Sequence, residues 1–181
     1  MTESVSEKTI IHSIERAALQ TTFVIVDLEG TASMIVANAI SRADLVIIPT
    51  QGSQLDAVEA VKAVQLVRGQ GITFGRRIRY SVLFTRTNAA IRPRTLQNVE
   101  AQFAANSIPM FGAQIHERDA YRAIFSFGGT LATLDPSEVP NLATARANAL
   151  AFTSEVVMLL KDSAKPKSRA AFAKAPVEPV A

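Results

Sequence analysis

The sequence predicts an α/β fold, a three-layer α/β/α arrangement around a mainly parallel sheet, and three observations carry that prediction. Short β-branched or aromatic runs recur at FVIVD, LVIIP, YSVLF and IPMFG. Segments with helical spacing of apolar residues separate them, and neither an internal repeat nor a domain linker interrupts the alternation. Strands that alternate with helices imply βαβ units, hence parallel pairing with helices on the sheet faces.

Taken in order, SEKTIIHSIERAAL places Ile10, Ile11, Ile14, Ala17, Ala18 and Leu19 at helical spacing and predicts a helix over 5–19 capped by Ser4 or Ser6. The run from Thr22 to Val26, stopping at Asp27, suits a strand buried on both faces. ASMIVANAISRA reads as a helix. DLVIIPT, Asp44 to Thr50, reads as a second buried strand that Pro49 ends, because proline cannot donate to a ladder. QLDAVEAVKAVQLVRGQ is an amphipathic helix with Val58, Val61, Ala63, Val64 and Val67 on its apolar side, closed by Gly69 and Gly71. RIRYSVLFTRTN is a third strand, PRTLQNVEAQFAA a helix opened by Pro93, and IPMFGAQI a shorter fourth strand. ERDAYRAIFSF is a helix stopped by Gly128 and Gly129, and 141–162 a final helix. Residues 1–161 are therefore expected to form the domain, and 162–181 a basic tail without fixed structure.

Composition narrows the chemistry. With 181 residues, 48% hydrophobic and 19% charged, the chain can bury a core as a soluble domain. Having no cysteine, it holds neither disulfides nor thiolate metal sites, which fits a cytoplasmic setting. The N-terminus lacks the pattern of a secretory signal, and no apolar run approaches a membrane span. Aromatics at 6%, without tryptophan, argue against a base-stacking surface. The net charge of +3 sits in residues 161–181, where five basic residues face two acidic ones. That tail reads as a solvated end, or as a weak contact for nucleic acid or acidic lipid.

The sharpest local feature is VIVDLEG. An apolar strand that ends in Asp27, with Gly30 three residues on, would hold a Mg²⁺-bound water at a sheet edge and bring a backbone N–H to a phosphate. The ordinary alternative for Asp27 is a helix cap or turn residue. In parallel sheets ligands sit beyond the carboxyl strand ends, and Asp27, Pro49, Asn88 and Ile115–Arg118 all fall there.

Four blocks in order resemble the ParA/MinD-type P-loop ATPases over roughly residues 10 to 160: VIVDLEG, IIPTQGSQLDAVEAV, VLFTRTNAAIRPRT and IHERDAYRAIFSFGGTLATLDPSE. HERDA followed by an aromatic also looks like the VirC-type relatives that assist conjugal DNA transfer. The resemblance implies a P-loop NTPase fold with ATP and Mg²⁺ as cofactors. It makes Asp27 the Walker-B relic and Mg²⁺ contact through water, with Gly30 beside it. Asn88, Ile115, His116, Glu117 and Arg118 would stand on the nucleotide side. It also implies a homodimer, DNA bound without sequence preference, and a partition or relaxosome partner. Arg76, Arg77, Arg79, Arg92 and Arg94 are the DNA-contact candidates, with a solvated rim as the ordinary reading of those arginines.

The departures are as informative. No KGGxGKT loop occurs in the 181 residues, Leu28 and Glu29 follow Asp27, and His116 stands where the family has an adenine-loop proline. The expectation is an N-terminally truncated homologue without ATPase activity of its own and with weakened dimerisation; a non-catalytic module that binds a partner ATPase or DNA is the alternative. In the family the phosphate-loop strand separates the strand at 22–27 from that at 44–49. Here those two either pair directly or leave an open slot. His12 reads as a surface residue, and the two histidines lack zinc-ligand spacing. No GxSxG motif is present. Phe125, Phe127 and Leu131 read as core.

Overall fold

Pairing of β-branched segments builds the sheet. The computed structural model describes residues 2–29 and 33–164, with side chains through Lys161. Strands β1 (Val46–Thr50), β2 (Tyr80–Thr87) and β3 (Ile115–His116) form a parallel sheet in the order β1-β2-β3. Helices α1 (Ile10–Ala18), α2 (Met34–Arg42), α3 (Gln54–Thr73), α4 (Arg94–Ala105), α5 (Asp119–Phe127) and α6 (Leu142–Ala164) flank it. The α/β class and the parallel pairing agree with the sequence prediction.

The main core lies between one sheet face and α3 and α4. Ile48, Val82 and Phe84 meet Ala57, Ala60 and Val64 of α3 and Leu96, Val99 and Phe103 of α4. The Phe84 and Phe103 rings stack at 5.9 Å. A second cluster joins α2 to α3 through Val36, Ile40 and Val67, and a third joins α5 and α6. The buried face of α3 is Ala57, Ala60, Val64 and Val67, rotated from the expected one, so Val58 is 45% exposed. Ala57 and Ala60 take half of that buried face, which valine count alone does not reveal.

Val46 pairs with Tyr80 and its N–H donates to the Arg79 carbonyl at 2.9 Å. In a parallel ladder alternate residues bond to the same neighbour, so Ile48 and Thr50 also face β2 while Ile47 and Pro49 face the free edge. Pro49 therefore removes no bond to β2, and the strand continues through it to Thr50 instead of ending there.

Several expected elements differ. Residues 22–27 pair with no described strand, and Phe23, Val24 and Ile25 are 57%, 37% and 92% exposed. A β-branched run becomes a strand only when it pairs with an edge, and this run does not take up the free edge of β1. Direct pairing of 22–27 with 44–49 is absent among the described residues, which leaves the edge of β1 open. The fourth strand is broken: Met110 makes a single bridge to Val82, and pairing resumes only at Ile115–His116. Between them the Glu155 carboxylate accepts from the Gly112 and Ala113 N–H groups at 2.8 and 2.6 Å, replacing ladder bonds. Helix α1 starts after Thr9, because a turn closed by the Ser6 carbonyl precedes it. Helix α3 runs past Gly69 and Gly71 and stops before Gly75, whose φ is +60°. A Cβ on Gly71 would lie 2.9 Å from the Arg76 carbonyl, so that glycine serves a close approach rather than a stop. Phe125 and Phe127 are 91% and 62% exposed, because α5 buries Ala120 and Ala123 on its other side, while Leu131 packs on the third cluster. Helix α6 extends to Ala164, past the expected boundary at 161, and the tail from 165 lies outside the described residues.

Candidate functional site at the carboxyl rim of the sheet

Parallel pairing brings the carboxyl ends of β1, β2 and β3 to one rim. Thr50, Thr87 and the 115–118 segment meet there, and the start of each following helix lies just beyond. Ser53 caps α3, its Oγ accepting from the Asp56 N–H at 3.2 Å. Gly52 packs closely on α4, where a Cβ would stand 3.1 Å from the Leu96 side chain.

The end of β2 carries a bulge. Pairing shifts between Thr85–Ile115 and Thr87–His116, and Arg86 takes a left-handed φ of +52°. That conformation is unfavourable for an arginine, and such strain collects where a fold positions a site. Asn88 follows, and its Oδ1 accepts from the Ala90 and Ile91 N–H groups at 2.8 and 3.0 Å. The amide oxygen is thereby spent on a local turn.

His116 sits half-buried in β3. Its Nδ1 shares a hydrogen bond with Thr87 Oγ1 at 2.8 Å, and its N–H donates to Asn148 Oδ1 at 3.0 Å. Burial, and then the nearby Arg118 charge, lower its pKa from the ordinary value of 6.5. The Asn148 amide also donates to the Gln114 carbonyl at 2.7 Å, and Tyr121 Oη donates to Asn148 Oδ1 at 3.2 Å. Burial raises the Tyr121 pKa. Glu117 and Asp119 both pair with Arg122, the latter at 2.6 Å. A cavity of about 240 Å³ opens among Glu117, Arg118, Asp119, Arg122, Pro140 and Asn141. Arg118 Nε is buried without a hydrogen-bond partner.

Of the residues singled out by sequence, Asn88, Ile115, His116, Glu117 and Arg118 are together at this rim. Asp27 is exposed on a segment outside the sheet, and Gly30 lies outside the described residues. The five arginines are split. Arg76, Arg77 and Arg79 precede β2 while Arg92 and Arg94 follow it, so the eight residues of β2, roughly 26 Å, separate the groups. Thr87, Arg86, Tyr121 and Asn148 were not found from sequence. Asn148 had a signal, a lone amide amid the apolar run of α6. Arg86 had none, because its conformation comes from the bulge.

These residues do not fit Mg²⁺ and a triphosphate. Among the described residues no three His, Asp or Glu side chains cluster to hold a metal ion. The Asn88 oxygen and both rim carboxylates already have partners. Arg118 Nε offers one free donor, suited to a single polar acceptor.

The sequence model of the VirC1 protein family matches residues 9–163. Protein ParA of Rhizobium radiobacter is 36% identical over 159 residues, covering 88% of this chain and 71% of that protein. The structure of Cyanthece apo McdA superposes with a TM-score of 0.62 at 16% identity, over 81% of this chain and 59% of that one. At that identity the likeness shows the fold alone. Among the described residues, no helix is long and apolar enough to cross a membrane.

Proposed function

This chain belongs to the VirC1 protein family, and from that premise we propose that it serves plasmid partition or conjugal DNA transfer as a ParA/VirC-like binding module. By itself it does not turn over ATP. It works in the cytoplasm by contacting DNA phosphates, or a partition or relaxosome protein, through family surfaces. The rim carries the second half of this reading: its oxygen acceptors are committed to neighbours, and Asp27 lies off the sheet. Phosphoryl transfer depends on positioning and charge stabilisation, and loss of one such clamp costs about 10²-fold or more. With no KGGxGKT segment in the 181 residues, several are missing at once.

The test is Mg²⁺-dependent phosphate release by the purified chain, beside an Asp27→Ala variant. The expected result is the same background rate for both. Turnover that vanishes in Asp27→Ala would overturn the reading. Gel shifts on a short duplex without nucleotide address the binding half: a shift that weakens steeply with salt is expected, and none at low salt counts against DNA as the partner.

A further inference from the structure

A concavity of about 1130 Å³ lies at the amino ends of the strands, opposite the rim. Its lining is largely apolar and includes the partly buried Tyr80 and Met110 and, at its exposed margin, Ile72 (83% exposed) and Met158 (65%). Arg68, Arg76, Arg77 and Arg79 border it. Arg68 lies over the Tyr80 ring, 5.7 Å from its centroid, and its Nε donates to Tyr80 Oη at 2.7 Å. Arg79 donates to the Leu159 carbonyl at 2.6 Å, and Arg76 donates to the Ala43 carbonyl. Carbonyl partners hold these guanidinium groups in place without cancelling their charge. Glu155 is the one acid in the lining, and its carboxylate accepts from the Gly112 and Ala113 N–H groups.

We propose that this groove docks an acidic amphipathic helix of a partner protein, its apolar stripe on the apolar lining and its carboxylates on the arginines. Helices bind grooves through apolar anchors one turn apart, with flanking charge setting orientation and partner choice. A DNA backbone would use the arginines and leave the apolar lining uncovered. Residues 165–181 of this chain carry four basic residues against one acidic one, so their charge opposes the border.

The experiment measures fluorescence anisotropy of labelled synthetic peptides of about 18 residues, long enough to hold a helix. One carries leucine at helical spacing flanked by glutamate, the second replaces glutamate by lysine, and the third scrambles the first. The full chain should bind the acidic helix at least about tenfold tighter than either control, a difference of 1.4 kcal/mol. Arg77→Glu and Met158→Ser, both at exposed positions, should each weaken it by a similar factor, and Lys62→Glu, outside the groove, should not. Equal binding of the lysine or scrambled peptide, or indifference to Arg77→Glu, overturns the proposal. A duplex whose binding to the chain depends on Arg77 and which displaces the peptide reassigns the groove to nucleic acid.

Discussion

His116 shows how one side chain ties the rim together. Its imidazole bonds to the end of β2 through Thr87, and its backbone bonds to α6 through Asn148. Burial and Arg118 favour the neutral ring, so its folded pKa lies below 6.5. The unfolded chain then binds more protons than the folded one as pH falls past 6.5. The contribution to stability is complete above 6.5 and is lost as pH drops through the folded value. His116→Gln should therefore flatten the pH dependence of the urea midpoint below pH 6.5. An unchanged slope in the variant would show that another group titrates there. Asn88 acts more locally. Asn88→Ala removes an acceptor from two N–H groups and should cost about 1 kcal/mol in urea unfolding, while Asn88→Asp should retain most of it.

At the scale of elements, alternation of apolar runs was enough to read β1, β2 and the six helices of the described residues from sequence. What it could not supply was the neighbour each strand needs. Residues 22–26 have the composition of a buried strand, yet they gain no ladder, because strand formation is a property of a pair. The interruption of IPMFGAQI was equally hidden, since its replacement partner, Glu155, comes from α6 some forty residues away. The rim histidine and the 117–118 pair were visible through family order, whereas the Arg86 bulge depends on register. The open edge of β1 has an amide-resolved consequence. In hydrogen exchange, the Val46, Ile48 and Thr50 amides, bonded to β2, should exchange slowly. The Ile47 amide on the free edge and the amides of 22–26 should exchange fast. Protection of Ile47 together with 22–26 would mean that the two segments pair in solution. The cap of α3 is a separate test: Ser53→Ala should cost about 1 kcal/mol, seen as a lowered urea midpoint.

For the whole molecule, the direction of the sheet decides which charges act together. A parallel sheet has two unlike ends, and β2 carries one arginine group to each. Arg76, Arg77 and Arg79 border the apolar groove, whereas Arg92 and Arg94 are exposed at the start of α4, with Arg92 held by Glu100 at 2.5 Å. For the DNA contact proposed above, phosphates need only exposed charge, and Arg94, exposed and among the described residues in no ion pair, is the candidate at the carboxyl end. If so, Arg94→Ala should weaken duplex binding about equally for all sequences and lower the slope of log K against log salt by about 0.9, the value for one phosphate. Arg77→Ala should leave that slope unchanged, since its end of the sheet faces away. Salt titrations of the two variants separate the alternatives. A slope lost in Arg77→Ala and kept in Arg94→Ala would move the DNA surface to the amino end and remove the division of labour between the two ends.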